Sequence, residues 1–169
     1  MSAILRAQAD LLWFGGIGTY VKAASQSNAE AGDTANDAIR VNAEDLRVKV
    51  VGEGANLGVT QAARIAYSLA GGRINTDFID NSAGVDCSDN EGNIKIALNK
   101  EMSEGRLPLE DRNSLLVEMT DAVAELVLED NRLQALGLSI AEKGGVKALP
   151  SYVRLIETFE AGGTLDRKV

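Results

Sequence analysis

The chain has 169 residues, of which 45% are hydrophobic and 25% are charged, as in a single globular domain and unlike a disordered segment. It has one cysteine and no histidine, which excludes intramolecular disulfides, Ser-His and Cys-His chemistry, and histidine-ligated metal sites. The formal net charge of −8 disfavours binding to a nucleic-acid backbone, and no apolar run approaches the roughly 20 residues of a membrane span.

The amino-terminal residues and the cysteine indicate where the protein is located. Residues 1–8 contain Arg6 but no apolar run of signal-peptide length, and an unpaired Cys87 fits a reducing compartment. We therefore expect a cytoplasmic protein that binds neither nucleic acid nor a membrane. Without a histidine to activate it, Cys87 is expected to be a small buried hydrophobe and not a nucleophile.

The first part of the chain predicts two strands. The apolar run 10–14 precedes a glycine-rich loop over 15–18, which is typical of a fully buried parallel strand that ends in a tight turn. The polar residues 22–37 are expected to form a loop with one helical turn. Residues 46–51 predict the second strand, and residues 38–41 could pair with it as a hairpin.

A βα unit follows from the residues after this strand. Thr60 can cap a helix that Gly71-Gly72 can end. Its apolar face is expected to consist of Ala62, Ile65, Ala66 and Leu69. A short strand within 73–77 and a loop of small residues over 79–87 come next. Residues 88–91 match a capping box, which predicts that the following helix begins at Ser88.

The chain beyond Gly105 predicts only helices. One apolar stripe comprises Leu116, Met119, Val123, Leu126 and Val127, and another comprises Tyr152, Leu155, Ile156 and Phe159. Pro150 fits the first turn of the last helix, and Gly162-Gly163 fit its end. The predicted fold class is therefore α/β, a partial Rossmann-like parallel sheet with a carboxyl-terminal helical appendage.

The glycine-rich turn over residues 52–58 is the first candidate site. Its glycines, Gly52, Gly54 and Gly58, are spaced one residue wider than the fingerprint G-x-G-x-x-G, which lets a backbone approach a phosphate. An ordinary turn that needs positive φ explains the same glycines. Asn56 favours a functional interpretation, because its amide can donate to and accept from a carboxamide or a ribose hydroxyl.

Two further segments are candidates. The loop from Asn81 to Ser88 leads to a predicted helix start, which attracts anions such as a substrate carboxylate, although Ser88 could equally cap its own helix. Gly15 and Gly16 follow the first strand. Because ligands of open α/β sheets bind outside the carboxyl ends of the strands, this loop and the Gly52 turn are expected to line one crevice.

Three motifs in this order resemble the large bacterial NAD-specific glutamate dehydrogenases: residues 10–20, 51–58 and 72–88. The resemblance implies that residues 1–105 are the carboxyl-terminal half of a dinucleotide-binding domain and that residues 106–169 are a helical segment. It also implies that the phosphate-binding glycines lie on an earlier strand that this chain lacks. The chain departs from the smaller hexameric enzymes, which have a glycine at Ala83 and small residues at Asp86 and Cys87.

The resemblance also implies roles for individual residues. The implied cofactor-binding residues are Gly15, Gly16, Gly54, Asn56 and Asn81. Asn56 would lie beside the nicotinamide ribose, and Asn81 would hydrogen-bond the carboxamide region. Ser88 would hold the side-chain carboxylate of glutamate, and Gly15 and Gly16 would form the loop over the middle of NAD.

The implied function is that of a fragment of a glutamate dehydrogenase, which converts L-glutamate, NAD and water to 2-oxoglutarate, ammonium and NADH. In the family the lysine and aspartate that move protons come from a preceding substrate domain. We therefore expect no catalytic and no metal-binding residue here, no activity of the chain alone, and a homo-oligomer of the full-length protein.

Two alternatives to this function remain open. One is a free-standing nucleotide-binding or regulatory α/β module that uses Gly52, Gly54 and Gly58 for phosphate. The other is a purely helical interaction module, which the strand patterns before Gly58 disfavour.

Overall fold

The computed structural model describes residues 1–167, which form two compact units, one from Met1 to Val127 and one that begins at Leu128. The first unit holds every strand found in residues 1–167. The strands are β1 (Ala9–Phe14), β2 (Val21–Lys22), β3 (Val41–Asn42), β4 (Val48–Glu53) and β5 (Arg73–Ile74). The α-helices are α1 (Ser2–Leu5), α2 (Asn28–Ala31), α3 (Gln61–Leu69), α4 (Asp77–Asp80), α5 (Ser82–Ser103), α6 (Leu109–Glu118), α7 (Thr120–Gly144) and α8 (Leu149–Ala161). The α/β fold class with a parallel sheet and carboxyl-terminal helices is thereby confirmed.

The sheet is parallel and has the order β1-β4-β5. Leu11 lies opposite Val50, and Phe14 lies opposite Glu53, so β1 and β4 end side by side. The hairpin considered for residues 38–51 is wrong. Val41 belongs to β3, which pairs with β2, whereas β4 pairs with β1, and parallel neighbours need a crossover instead of a tight turn.

The hydrophobic core lies on one side of this sheet. It comprises Leu5, Phe14, Val21, Val41, Ala43, Val51, Val59, Ala63 and Tyr67. On the opposite face, Leu11 and Trp13 of β1 are 54% and 56% exposed, and Val50 of β4 is also exposed. The expectation that β1 is buried on both faces is therefore wrong for this chain, since only its last residue, Phe14, is buried.

Helix α3 begins as predicted but buries a different face. The Thr60 side chain accepts a hydrogen bond from the Ala63 amide, which is the expected cap. Ala63, Arg64 and Tyr67 are buried, whereas the predicted core residues Ile65 and Leu69 are 54% and 83% exposed. Polar partners decide the orientation of the helix.

Tyr67 and Arg64 each reach a partner on β4. The Tyr67 hydroxyl donates to the Val48 carbonyl at 2.8 Å, and Arg64 forms an ion pair with Glu53. Gly72 makes room for the aromatic ring, because a Cβ there would lie 2.2 Å from Tyr67 Cζ. Buried polar groups are stable only where such partners exist, so these contacts fix the buried face.

The segment 79–88 differs most from expectation. It was predicted to be a loop, but α4 ends at Asp80 and α5 begins at Ser82, so Ser88 lies in the interior of α5 and not at its start. The Ser88 hydroxyl donates to the Gly84 carbonyl at 3.0 Å, which satisfies it within the helix. Small residues such as Ala83 do not oppose a helix, and the capping-box pattern was therefore misleading.

The chain beyond Gly105 is helical, as predicted, but Met119 separates α6 from α7 within the stripe predicted from Leu116 to Val127. α5 ends just before Gly105, which has a φ of 74°, and α6, α7 and α8 follow it. Pro150 occupies the first turn of α8, and Gly162 follows its last residue, as predicted. Within residues 1–167, no helix is both long enough and apolar enough to cross a bilayer. The predicted domain boundary at residues 105/106 stays a prediction.

Candidate functional site

The carboxyl ends of β1 and β4 form one edge of the sheet. The Gly54 and Ala55 amides both donate to the Phe14 carbonyl, at 2.9 Å and 3.2 Å. The loop that starts at Gly15 and the turn that starts at Gly54 therefore leave the sheet together. Gly15 and Gly16 are exposed, and no heavy atom lies within 4 Å of a Cβ built on either, so the space beside them is open.

Asn81 joins this edge from the junction of α4 and α5. Its side-chain Nδ2 donates to the Gly54 carbonyl at 3.1 Å. Asn56, two residues after Gly54, has an exposed side chain on the same turn. The predicted residues Gly15, Gly16, Gly54, Asn56 and Asn81 thus lie at one edge, as the sequence predicts for the carboxyl ends of adjacent parallel strands. Their roles in binding stay predictions.

Ser88 does not lie at a helix start. The prediction that a helix terminus at Ser88 attracts a substrate carboxylate is therefore wrong in its physical reason. Ser88 lies seven residues after Asn81, about 10 Å along the axis of α5 at 1.5 Å per residue. Residues seven apart share one helix face, so Ser88 lies on the face of α5 that follows Asn81. Its role with a substrate carboxylate also stays a prediction.

Close packing, and not positive φ, explains the glycines of the turn. The residues of 1–167 with positive φ do not include Gly52, Gly54 or Gly58. A Cβ on Gly54 would lie 2.6 Å from Trp13 Cζ2, and a Cβ on Gly52 would lie 2.7 Å from Trp13 Cε3. The Trp13 ring lies against these two residues, so larger side chains would displace it.

Gly58 has a similar explanation on the core side of the turn. A Cβ there would lie 2.8 Å from Glu53 Oε1 and 3.1 Å from Phe14 Cγ. Glu53 is fully buried, pairs with Arg64, and accepts a hydrogen bond from the Val59 amide at 3.2 Å. Burial raises the pKa of the Glu53 carboxyl, and the Arg64 guanidinium opposes this effect.

Two aspartates of α4 hold the turn from its other side. The Leu57 amide donates to Asp77 Oδ2 at 2.9 Å, and the Glu53 amide donates to Asp80 Oδ2 at 3.0 Å. Asp80 Oδ1 also accepts from Asn75 Nδ2 at 3.0 Å. Sequence reasoning missed these residues because isolated acidic residues after a glycine pair resemble an exposed loop.

A second polar network, away from the turn, is structural. Arg40 is buried, and its guanidinium donates to the Thr19 carbonyl at 2.9 Å and pairs with Asp37. Asp33 accepts from the Thr19 amide at 2.8 Å, which lowers its pKa. Both aspartates thus hold the segment between β2 and β3. In residues 1–167, no group of three or more metal-ligating side chains is found.

The donor set at the edge fits the nicotinamide part of NAD better than a phosphate. Asn56 and Asn81 carry amides, which match a carboxamide and ribose hydroxyls, and the open space beside Gly15 leaves room for a ligand. Asp77 accepts a hydrogen bond from the Leu57 amide, and Asp80 accepts one from the Glu53 amide. A phosphate bound at this turn would use backbone amides of this kind. The charge of the two aspartates disfavours the alternative of a phosphate held by Gly52, Gly54 and Gly58.

Comparison with known proteins agrees with the motifs. Residues 1–141 match the family described as bacterial NAD-glutamate dehydrogenase, catalytic domain. The chain is 54% identical over 165 residues to an NAD-specific glutamate dehydrogenase of Pseudomonas aeruginosa, which covers 98% of the chain and 10% of that protein. The corresponding enzymes of Halomonas elongata and Mycobacterium tuberculosis are 49% and 50% identical over 167 residues, 99% of the chain and 10% of each protein.

The match extends over nearly the whole chain, which spans about a tenth of the length of these relatives. The resemblance that rested on three motifs is thereby confirmed. The chain belongs to the bacterial NAD-glutamate dehydrogenases and corresponds to part of their catalytic domain.

Proposed function

We propose that this chain is part of an NAD-dependent glutamate dehydrogenase and forms the nicotinamide side of its cofactor site. The parent enzyme would convert L-glutamate, NAD and water to 2-oxoglutarate, ammonium and NADH. The observation that supports this most directly is the hydrogen bond from Asn81 to the Gly54 carbonyl, which joins two predicted cofactor segments at one sheet edge. The names of the relatives, NAD-specific glutamate dehydrogenases, support the choice of cofactor and substrate.

The residues of this chain would bind and orient the ligands. Bound NAD supplies the hydride acceptor, and the protein holds it against the substrate. Asn56 would hydrogen-bond the nicotinamide ribose, and Asn81, whose Nδ2 donates to Gly54, would offer its Oδ1 to the carboxamide region. Gly15 and Gly16 would let the backbone approach the middle of the cofactor.

Ser88 would hold the side-chain carboxylate of glutamate from the same face of α5 that follows Asn81. Its hydroxyl donates to the Gly84 carbonyl, so it would need to turn its proton toward the substrate on binding. A serine in the second turn of a helix can change its hydroxyl direction by a rotation about χ1. This role rests on the position of the residue and not on a helix terminus.

The role of Asn56 is tested by replacement in the full-length protein that contains this chain. Asn56→Ala should raise the KM for NAD about tenfold, the value of one lost hydrogen bond of about 1.4 kcal/mol, with a smaller effect on the KM for glutamate. Asn99→Ala, an exposed asparagine of α5, is the matched control and should leave both constants unchanged. Equal kinetics of the Asn56 variant and the unmodified enzyme would contradict the proposed cofactor site.

The purified 169-residue chain should be inactive, because the residues that move protons at the substrate α-carbon are not among those proposed here. Incubation with L-glutamate and NAD should therefore give no rise in NADH absorbance. A full-length protein assayed in parallel controls for the reagents. A glutamate-dependent rise with the chain alone would show that it carries a complete catalytic centre.

We also infer a cytoplasmic homo-oligomer for the full-length protein. The chain has the composition of a soluble globular protein, and many large apolar side chains of residues 1–167 are exposed, which leaves surface for further contacts. Sedimentation of the full-length protein tests the oligomeric state, and a monomer at physiological concentration would contradict it.

A further inference from the structure

The backbone of the candidate cofactor turn is strained at one residue. Leu57 has a φ of 69°, and among residues 1–167 it is the single non-glycine residue with positive φ. A Cβ makes this left-handed conformation unfavourable, so a leucine stays there only where the surroundings hold it. Leu57 directly follows Asn56, and both residues share the peptide bond whose N–H belongs to Leu57.

Asp77 is the side chain that holds this peptide. Its Oδ2 accepts the Leu57 amide at 2.9 Å, and its Oδ1 lies 3.7 Å from the Arg64 guanidinium. The Asp77 side chain is 15% exposed, so the carboxylate is well shielded from solvent. Its position is fixed in turn, because Arg64 donates to the Asn75 carbonyl at 3.1 Å just before α4 begins.

Other side chains fasten the remainder of the turn. Asn81 holds the Gly54 carbonyl, and the buried Glu53 holds the Val59 amide. Asn56 lies between these points with its side chain exposed at the sheet edge. Asp77 is therefore the contact that sets the backbone at Asn56 itself, while the other contacts set the two ends of the turn.

We propose that Asp77 is a positioning residue, which orients the Asn56 amide by holding the adjacent peptide in its left-handed conformation. The proposal rests on the proposed role of Asn56 in NAD binding. Without the Asp77 carboxylate, Leu57 would relax to negative φ, and the shared peptide plane would rotate together with Asn56. Asp77 itself would contact neither substrate nor cofactor.

The test uses kinetics of the full-length protein with Asp77→Ala. The expected result is a rise of about tenfold in the KM for NAD, similar to the effect of Asn56→Ala, with the KM for glutamate changed less than twofold. Asp77→Asn keeps an acceptor oxygen for the Leu57 amide and should show a smaller rise. Asp89→Ala removes an exposed carboxylate of α5 and should match the unmodified enzyme.

Rescue by glycine separates positioning from a general structural defect. Leu57→Gly in the Asp77→Ala background should restore most of the NAD affinity, because glycine adopts positive φ without the steric penalty of a Cβ. A merely destabilised protein would instead show a lower kcat, from a smaller folded fraction, with the KM for NAD unchanged. If Asp77→Ala does not yield folded protein, the same comparison is made with Asp77→Asn.

The outcomes separate this proposal from the proposed function. If Asn56→Ala leaves the KM for NAD unchanged, the cofactor role of the turn fails. If Asn56→Ala raises it while both Asp77 variants behave like the unmodified enzyme, the cofactor role stands and the positioning role is overturned. Failure of Leu57→Gly to restore affinity would also overturn it.

Discussion

At the scale of single residues, the buried polar groups of the first unit determine which face of a helix packs on the sheet more than the aliphatic side chains do. Tyr67 shows this most simply, since its ring fills the space that Gly72 leaves and its hydroxyl donates to the Val48 carbonyl at 2.8 Å. Burial raises the pKa of the Tyr67 hydroxyl. The neutral side chain is thus favoured in the folded state, and ionisation of Tyr67 must oppose folding.

Stability should therefore fall at alkaline pH. The contribution of Tyr67 is complete below the unfolded pKa of about 10 and is lost as the pH rises through the higher folded value. Tyr67→Phe should abolish this alkaline loss. At neutral pH it should lower the free energy of unfolding by about 1 kcal/mol, because the Val48 carbonyl loses its donor.

Urea unfolding of the purified chain at several pH values measures both effects. Tyr152→Phe, an exposed tyrosine of α8, is the control and should behave like the unmodified chain. An alkaline loss of equal size in the Tyr67 variant would assign it to other groups.

At the scale of secondary-structure elements, the local sequence pattern predicted which helices and strands exist better than it predicted how they pair and which face they bury. β1, β4, α3 and the helical character of the chain beyond Gly105 follow from periodicity, glycine pairs and capping residues, but the break between α6 and α7 does not. The hairpin considered for residues 38–51 is wrong, because strand pairing is set by residues distant in the sequence, here β1 for β4 and β2 for β3. The buried face of α3 was wrong since Arg64 and Tyr67 find polar partners that the aliphatic pattern does not include.

The orientation of α3 gives a direct test. Ala63 is fully buried, so Ala63→Leu should destabilise the chain by about 1–3 kcal/mol through overpacking. Leu69 is 83% exposed, so Leu69→Gln should change the free energy of unfolding by less than about 0.5 kcal/mol. Urea unfolding compares the two. The reverse order would mean that the face predicted from the sequence is the buried one.

The site was partly predictable for the same physical reason. Asn56 and Asn81 could be brought to one edge because carboxyl ends of parallel strands meet there. Asp77 and Asp80 could not be found, since their partners are the backbone amides of Leu57 and Glu53, which are distant in the sequence. The burial of Glu53 could not be found because an acidic residue gives no local sign of burial. The start of α5 was missed because the capping-box pattern placed it at Ser88. Ser88 instead lies inside the helix, where its hydroxyl donates to the Gly84 carbonyl.

At the scale of the whole molecule, a large apolar surface is uncovered. One sheet face exposes Leu11, Trp13 and Val50, and in the second unit Leu155 and Phe159 are 50% and 48% exposed. Sheets of this parallel type are normally covered on both faces. Each unit thus presents apolar side chains that a single chain of this length leaves in contact with water.

The purified chain should consequently bind a hydrophobic fluorescent dye while it remains folded. Leu11→Gln should reduce the dye signal without a loss of stability above about 0.5 kcal/mol, because Leu11 is mostly exposed. Dye fluorescence and circular dichroism on the same sample give the comparison. A chain that binds no dye would contradict the exposure of this face.

The position of Trp13 has a spectroscopic consequence. The chain has one tryptophan, and its indole lies against Gly52 and Gly54, whose carbonyl accepts a hydrogen bond from Asn81. A half-exposed indole emits at a wavelength that depends on its contact with solvent. A rearrangement of the neighbouring backbone should therefore shift the emission maximum. The protein therefore carries an intrinsic fluorescent probe beside the turn that we propose for cofactor binding.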